Sequence, residues 1–199
     1  MRNTQILAIT LTSLSLLAIA SPARAELSLP YGWYVEGNVG STHLSKKNYP
    51  GDSSSSGIGG NANIGYKFMP YIAAEIGYTR YANTTVKDQF GTKAGTDKIF
   101  SADFAVKGIL PIGGSGAELF AKLGVDRVYS NMHINNQTAA NNIGLGHSDH
   151  SATGVYLGAG AQYSFVPEFA ANIQWARANG SSSTGTMDFF SFGLAYILY

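Results

Sequence analysis

The sequence contains no cysteine, few charged residues and, beyond residue 20, no long apolar run. Without cysteine, disulfide bonds and thiolate metal sites are both excluded. Only 13% of the residues are charged, with 13 basic and 12 acidic side chains, so nothing indicates a nucleic-acid partner. The missing apolar run argues against a helical membrane protein, because each helical span needs roughly 20 consecutive apolar residues.

Glycine and aromatic residues are abundant instead: the chain has 24 Gly, 12 Tyr and 10 Phe. They alternate with polar residues in short segments, and stretches rich in Ser, Asn, Thr and Gly separate these segments. Such a composition is typical of membrane β-barrels rather than of soluble enzymes.

Residues 1–25 have the pattern of a secretory signal peptide. Arg2 supplies the positive charge, residues 6–20 are apolar, and the small-residue triplet 23–25 matches a cleavage site. A retained transmembrane helix is the alternative, but the apolar stretch is short for a span. We therefore expect cleavage after the triplet and a single mature domain over residues 26–199.

After the signal peptide, apolar and polar residues alternate in segments of about ten residues, which is the length of a tilted strand across a bilayer. The segments are 31–42, 59–68, 71–81, 98–110, 118–129, 153–165, 169–177 and 187–199. In the first, the apolar Trp33 and Val35 alternate with Glu36 and Asn38. A shift of one residue would place Glu36 in lipid, so the register is well determined.

The connections between these segments fall into two length classes. Turns at 69–70, 111–116 and 166–168 are short, whereas the polar connections at 44–58, 82–97, 130–152 and 178–186 are long. In membrane barrels, short turns face the periplasm and long loops face outside. An even set of strands can close first against last, which leaves no unpaired backbone groups in lipid. The sequence predicts an all-β fold: a closed antiparallel transmembrane β-barrel of about eight strands in an up-and-down meander.

Three stretches carry a family resemblance: Gly-Trp-Tyr-Val-Glu-Gly-Asn-Val-Gly at 32–40, Gly-Tyr-Lys-Phe-Met-Pro-Tyr at 65–71 and Glu-Ile-Gly-Tyr at 75–78. Together with the aromatic terminal strand, they resemble the OmpA-like outer-membrane β-barrel family, which includes opacity-type surface antigens. The resemblance covers residues 26–199. It implies a barrel domain in the bacterial outer membrane of a Gram-negative cell envelope.

Two features depart from the family pattern. No segment that resembles the family's periplasmic peptidoglycan-binding domain follows the barrel, so we do not expect anchoring to the cell wall. The family usually ends on a lipid-facing aromatic residue, whereas Tyr199 is out of phase with the lipid-facing Leu194, Tyr196 and Leu198. The register of the last strand is therefore left open.

Most strand charges fall on the parity opposite to the lipid-facing residues and should point into the barrel. They are Glu36, Lys67, Glu75, Asp103, Lys107, Glu118, Lys122 and Asp126. Side chains just fill the interior of an eight-stranded barrel, so we expect these charges to pair in a network that plugs the lumen. Pairing is required because an isolated buried charge is costly. The alternative is that they line a narrow ion pathway.

Four basic residues break the alternation because they fall on lipid-facing positions: Arg80, Lys98, Arg127 and Arg177. Each lies at the strand end farthest from the short turns, so we expect it at the outer rim, where its cost in lipid falls towards zero. The aromatic residues predicted to form a girdle just beneath this ring are Tyr78, Phe100, Tyr129 and Trp175. A basic ring at this height is expected to contact the phosphates of lipopolysaccharide. Bulges that turn these side chains inward, or simple solvation, are the alternatives.

Three residues of the third long loop, His147, Asp149 and His150, are close enough in sequence to hold a divalent cation, and His133 precedes them in the same loop. A flexible loop rarely preorganises a metal site, because nothing fixes its ligands. We therefore expect no metal ion and no cofactor, and keep these residues as weak candidates only.

The pattern favours a non-enzymatic, monomeric outer-membrane protein that stabilises the membrane and presents its long loops to host surface molecules. A narrow channel for ions or small solutes is the first alternative, and a lipid A-modifying enzyme is the second. Deacylases of this kind carry a His-x-Ser-Asn motif, and His43-Leu44-Ser45-Lys46 matches all but its last residue. We expect no catalytic residues, because no third partner for the serine can be named.

Overall fold

The computed structural model describes residues 31–47, 49–53 and 55–198 of the chain. Its elements in chain order are β1 (Gly32–Ser45), β2 (Asp52–Ser53), β3 (Ser56–Met69), β4 (Ile72–Arg80), β5 (Thr84–Lys87), β6 (Lys93–Pro111), β7 (Ala117–Ile134), α1 (Gln137–Asn142), β8 (Ser148–Val166), β9 (Phe169–Asn179) and β10 (Thr186–Leu198). The predicted signal peptide and Tyr199 lie outside the described residues. Over the described ranges, no helix is long and apolar enough to cross a membrane.

Eight strands of the described chain close into one antiparallel barrel. The order around the wall is β1, β3, β4, β6, β7, β8, β9 and β10, and β10 pairs with β1 again. Val35, for example, lies opposite Ile64 on β3 and opposite Tyr196 on β10. The predicted closed meander is confirmed. Closure gives every wall strand two neighbours, so no strand edge is left open to lipid.

Side chains alternate between the lumen and the outer face along the barrel strands. On β1, Tyr34 and Glu36 are buried in the lumen, whereas Trp33 is exposed on the outer face. The last strand follows the same rule: Ile197 is buried, and Leu198 is exposed opposite Trp33. The pairing with β1 therefore fixes the register that the sequence left open.

Aromatic side chains contact one another at both ends of the outer face. Near the end where β1 begins, the rings of Trp33 and Tyr66 meet edge to face with centroids 5.2 Å apart. Near the opposite end, Phe100 lies between Tyr78 and Tyr129, with centroid distances of 5.9 and 4.9 Å. These groups have the positions of the two aromatic girdles that mark the membrane interfaces of outer-membrane barrels.

Three short turns, which join β3 to β4, β6 to β7 and β8 to β9, lie at the same end of the barrel as the start of β1 and the end of β10. In the turn after β6, Gly113 and Gly116 adopt positive φ angles of 58° and 77°, a conformation that glycine accepts without strain. Ser115 Oγ donates a hydrogen bond to the Ile112 carbonyl at 2.7 Å in the same turn. Tight turns of this kind identify the periplasmic end.

The opposite end differs from the expectation of four long polar loops. Strands β6, β7 and β8 continue past the predicted segments, and β2, β5 and α1 lie within the predicted loops 44–58, 82–97 and 130–152. β5 pairs with both β2 and β6. An apolar cluster lies beneath them and consists of Val86, Ala94, Met132, Ala139, Ala140 and Leu145. We call β2, β5, α1 and the outer ends of β6, β7 and β8 the extracellular cap.

Two shorter segments also differ from the prediction. β1 continues to Ser45, so Leu44, which was expected in a loop, is buried inside the barrel. The serine-rich segment 53–56 lies within the predicted loop 44–58, but it contributes Ser53 to β2 and Ser56 to β3. One physical reason explains both these segments and the cap. Strands above the bilayer have water on their outer side, so no apolar outer face marks them in the sequence.

Candidate functional site

Four buried charges form a closed ring of ion pairs inside the lumen. Lys122 Nζ lies 2.6 Å from Glu75 Oε2 and 3.5 Å from Glu36 Oε1. Lys107 Nζ lies 3.2 Å from Glu75 Oε1 and 3.5 Å from Glu36 Oε2. Each lysine therefore bridges both glutamates, and we call these four residues the charge quartet. Two positive and two negative charges balance, which lowers the cost of burying them.

Neutral polar side chains add hydrogen bonds to both glutamates of the quartet. The Tyr34 hydroxyl donates to Glu75 Oε1 at 2.6 Å. Glu36 Oε1 accepts from three side-chain amides at 2.8, 3.1 and 3.3 Å, those of Asn38, Asn63 and Gln174. Such bonds satisfy carboxylate lone pairs that the lysines leave free.

Tyr34 was not among the predicted lumen charges or their partners, although it shares the inward parity of Glu36. Its ring needs space that Gly65 on β3 supplies, since a β-carbon at Gly65 would lie 2.3 Å from Tyr34 Cζ. The glycine therefore allows the tyrosine to reach Glu75. The alternation of the strand could have identified Tyr34 as a lumen residue, but it could not have identified Glu75 as its hydrogen-bond partner.

A second set of ion pairs lies beside the quartet. Lys67 Nζ is 3.2 Å from Glu118 Oε1, and both side chains are almost fully buried. The Gln162 amide donates to Glu118 Oε2, and its carbonyl oxygen accepts from Lys107 Nζ at 3.1 Å. Gln162 thus connects this pair to the quartet, and the polar groups form one network.

Asp103 and Asp126 remain outside the ion pairs. They lie directly opposite each other on β6 and β7, and both are buried. Asp103 Oδ2 and both carboxylate oxygens of Asp126 lack a hydrogen-bond partner among the described residues, and neither aspartate forms an ion pair there. The structure therefore pairs six of the eight predicted lumen charges.

Apolar side chains fill the lumen on both sides of the charge quartet. The lower apolar layer, towards the periplasm, consists of Tyr34, Ala73, Ile109, Phe120, Ala170, Ala195 and Ile197. The upper apolar layer, towards the cap, consists of Leu44, Tyr81, Ile99, Ala105, Val128, Tyr156, Ala176, Ala178, Met187 and Phe189. The charge quartet is therefore enclosed by apolar layers at both ends, whereas Glu118, the partner of Lys67, lies nearer the periplasmic turn than Phe120 of the lower layer.

At the outer end of the lumen, the loop after β1 places two side chains against Asp97. Lys47 Nζ lies 2.6 Å from Asp97 Oδ2, with side-chain exposures of 8% and 0%, and it also donates to Ser130 Oγ at 2.5 Å. The Tyr49 hydroxyl donates to the same carboxylate at 2.6 Å. Burial, and then the hydrogen bond to Asp97, raises the pKa of Tyr49, so its hydroxyl remains a donor. Because these contacts join loop residues far apart in sequence, no pattern predicted them.

All four predicted rim residues lie on the outer face: Arg80, Lys98, Arg127 and Arg177. Arg80 and Arg177 lie at the outer ends of β4 and β9, as expected, whereas β6 continues five residues beyond Lys98 and β7 seven residues beyond Arg127 into the cap. Arg177 donates two hydrogen bonds to Asp188 at 2.8 and 2.9 Å, and Trp175 Nε1 donates to the same carboxylate at 3.1 Å. Arg127 Nη2 donates to Ser151 Oγ at 3.1 Å. Neighbouring side chains therefore hold these two arginines.

Arg80 and Lys98 differ from the other two rim residues. Both are exposed, and within the described chain neither forms an ion pair or a side-chain hydrogen bond. They lie on the neighbouring strands β4 and β6. The predicted basic ring is thus divided into two arginines held by the protein and two free cations on one side.

His43 and Ser45 of the partial catalytic motif are not hydrogen-bonded to each other. His43 Nδ1 lies 2.9 Å from Ser56 Oγ rather than from Ser45, whose hydroxyl donates to the Thr186 carbonyl at 3.3 Å. Asp188 is opposite His43 in the register of β1 and β10, but an arginine binds its carboxylate. A nucleophile, a base and an orienting carboxylate are therefore not assembled around His43.

The three metal candidates do not all lie on one face. Asp149 and His150 are successive residues of β8, so they point to opposite faces of the sheet. His133, His147 and Asp149 are exposed and line the same shallow depression on the outer face. Within the part of the chain that the structure describes, no three histidine, aspartate or glutamate side chains converge as metal ligands.

The model of the outer membrane protein beta-barrel domain family matches residues 9–197. Among solved structures, the chain is similar to Ail, the attachment invasion locus protein of Yersinia pestis, with a TM-score of 0.56 and 14% identity over 85% of this chain and 100% of that chain. It is similar to OprG from Pseudomonas aeruginosa, with a TM-score of 0.56 and 15% identity over 87% of this chain and 100% of that chain. For Neisserial surface protein A, the TM-score is 0.54 and the identity is 16% over 84% of this chain and 97% of that chain. No curated protein sequence matches.

At these identities the solved structures show the fold alone, whereas the family model spans nearly the whole chain. The outer-membrane resemblance seen in the sequence is confirmed, and with it the location in the bacterial outer membrane. The closed barrel, its girdles and the family match lead to one assignment. The chain belongs to the outer membrane protein β-barrel domain family.

Proposed function

We propose that this protein is a non-enzymatic monomer of the outer membrane, exported with a cleaved signal peptide, whose lumen is closed and whose extracellular cap attaches to anionic glycans of other surfaces. The observation that carries the proposal is the pair of apolar layers that enclose the charge quartet. A lipid A-modifying activity is not included, because His43 bonds to Ser56 instead of Ser45.

The interior supports a closed lumen rather than an ion pathway. An ion that crossed the barrel would have to pass both apolar layers and separate the quartet, whose lysines are already neutralised by Glu36 and Glu75. Lys47 and Asp97 add a buried ion pair at the outer end. Side chains fill an interior of this size, so no continuous water column is expected.

Purified, refolded protein in a planar bilayer is expected to give no steady unit conductance, because the two apolar layers exclude hydrated ions. Current should be recorded at several salt concentrations, with heat-denatured protein as the control for detergent leakage. A large, steady unit conductance from the folded protein would contradict the closed lumen and favour the channel alternative.

The cap offers a rigid aromatic tip for attachment. Phe90, between β5 and β6, is 76% exposed. Asp88 fixes the turn around it, since its Oδ1 accepts from the amides of Phe90 at 2.9 Å and Thr92 at 2.8 Å. The exposed Lys87 and Lys93 flank this turn. An exposed aromatic ring on a turn with two lysines at its base suits a sugar ring that carries negative charge. Ail, of the same fold, has been solved with the heparin analogue sucrose octasulfate.

The triple variant Phe90→Ala, Lys87→Gln, Lys93→Gln is expected to weaken binding of the refolded protein to immobilised heparin by about tenfold or more, because it removes the anchor and both cations. The control is Lys46→Gln, which removes an exposed lysine of the first loop without touching the tip. Equal binding by the parent and the triple variant would show that the cap tip is not the attachment site.

A further inference from the structure

Arg80 and Lys98 are neighbours on the outer face. Arg80, the last residue of β4, lies opposite Phe100 in the register of β4 and β6, and Lys98 is the next outward-facing residue of β6 beyond Phe100. Both are exposed and unpaired within the described residues, in contrast to Arg177, which Asp188 neutralises. Two uncompensated positive charges therefore stand side by side on one part of the rim.

Their height on the barrel is set by the residues around them. Arg80 lies opposite Phe100 on β6 and opposite Gly60 on β3, and Gly60 in turn lies opposite Val39 on β1. At the height of Arg80, the outer face therefore carries the apolar Val39 and Phe100. The next outward-facing residues beyond this row are the polar Ser41 on β1 and Lys98 on β6, although Ile58 on β3 is apolar. On the β4 and β6 side the apolar band therefore ends at Arg80, so its guanidinium lies where lipid headgroups begin and hydrocarbon ends.

A groove in the apolar face starts at the same place. Its volume is about 930 Å³, and its outer end is bounded by Arg80 and Tyr78. Small residues at its floor, Gly37 and Ala62, lie opposite each other on β1 and β3, and a β-carbon at Gly37 would have no atom within 4 Å. Larger side chains such as Phe192 and Leu194 bound it elsewhere. The groove therefore runs from two cations at headgroup level into the hydrocarbon band.

We propose that Arg80, Lys98 and this groove form a binding site for one molecule of lipid A, the phosphorylated and acylated glycolipid of the outer leaflet. The arginine and the lysine bind a phosphate, for which the planar guanidinium offers two parallel donors. One acyl chain lies in the groove below. The aromatic group of Tyr78, Phe100 and Tyr129 lies at the same height, where ring edges meet the glycolipid headgroup.

The charge pattern favours lipid A over a phospholipid. Long connections and the cap place this rim in the outer leaflet, where lipid A is the phosphorylated lipid. Two adjacent cations that form no ion pair with a carboxylate of the described chain match a headgroup that carries more than one phosphate charge. The remaining rim arginines are already held by Asp188 and Ser151, so the site lies on the β4 and β6 side instead of encircling the barrel.

The test compares two double variants of the full, refolded protein in detergent micelles titrated with bisphosphorylated lipid A and observed by native mass spectrometry. Arg80→Gln with Lys98→Gln is expected to weaken lipid A binding by about tenfold or more, because charge-assisted hydrogen bonds to phosphate are lost. Arg127→Gln with Arg177→Gln removes the same number of charges from the same rim, and is expected to change binding less than about twofold. Thermal unfolding of each variant checks that the barrel is intact.

Two further arms separate the lipid source and the role of the groove. Binding of the parent protein to phosphatidylglycerol and to dephosphorylated lipid A is expected to be weaker than to bisphosphorylated lipid A. Gly37→Leu with Ala62→Leu, which fills the groove on the lipid-facing side, is expected to weaken lipid A binding while both cations remain. The proposal is overturned if the two charge variants lose binding equally, if phosphatidylglycerol binds as tightly as lipid A, or if filling the groove has no effect.

Discussion

Replacing Lys122 with methionine is expected to lower the free energy of unfolding of the barrel by about 3 kcal/mol. Lys122 is fully buried and bridges Glu75 at 2.6 Å and Glu36 at 3.5 Å. Without it, only Lys107 remains to balance two buried carboxylates in the quartet. Urea unfolding in phospholipid vesicles, followed by tryptophan fluorescence, measures the change, because Trp33 and Trp175 both lie on the outer face.

The matched control for this variant is Leu123→Met, which changes the next residue of β7, a lipid-facing side chain. Its volume barely changes, so we expect a cost below about 1.5 kcal/mol. The double variant Lys122→Met, Glu75→Gln restores the balance of charge in the quartet, and its cost should be smaller than the sum of the two single costs. If Lys122→Met is no more destabilising than Leu123→Met, the quartet does not stabilise the barrel.

Replacing Phe189 with alanine is expected to cost about 3 to 5 kcal/mol, because it opens a cavity in the upper apolar layer. Phe189 is 2% exposed and packs in the layer that separates the charge network from the extracellular end. The same urea titration measures this cost. Water that enters the cavity should also reach the polar network. The rate of amide hydrogen exchange in the wall strands around this network is therefore expected to rise.

The adjacent residue supplies the control, since Phe190 is on the same strand but faces lipid and is 63% exposed. Lipid chains can occupy the space that Phe190→Ala leaves, so its cost should be clearly smaller than that of Phe189→Ala. Similar costs for both would mean that the lumen is not packed as described, and that the upper layer does not seal the barrel.

The barrel wall was predictable because the bilayer imposes a two-residue period on each strand. Val35 and Glu36 could not exchange places without putting a carboxylate in lipid, so parity fixed which side chains face the lumen. Eight segments and three tight turns then determined the meander. The same argument placed Arg80 and Arg177 at the rim. It could not show that Asp188 neutralises Arg177 and leaves Arg80 without an ion pair in the described chain.

The cap and the lumen partners could not be predicted in the same way. Above the bilayer no lipid requires an apolar outer face, so β5 and the outer end of β6 show no regular apolar alternation, although they bury Val86 and Ala94 in the cap. The contact of Lys47 with Asp97 depends on how a loop folds over the barrel mouth. Parity showed that Glu36 and Lys122 face inward, but pairing them across the lumen requires the shape of the closed barrel, which no local pattern contains.

The quartet also constrains how this barrel can assemble. Its members come from β1, β4, β6 and β7, and Glu36 on the first strand of the wall meets Lys122 on the fifth. A half-built sheet of β4, β6 and β7 would hold two lysines with the single carboxylate of Glu75, so one positive charge would lack its partner and would be costly in hydrocarbon. All four charges are balanced only when Glu36 on β1 approaches β6 and β7 across the lumen. Burial of the lumen is therefore coupled to curvature of the whole wall, so partly curved intermediates must keep their inner face in water until the last strands arrive.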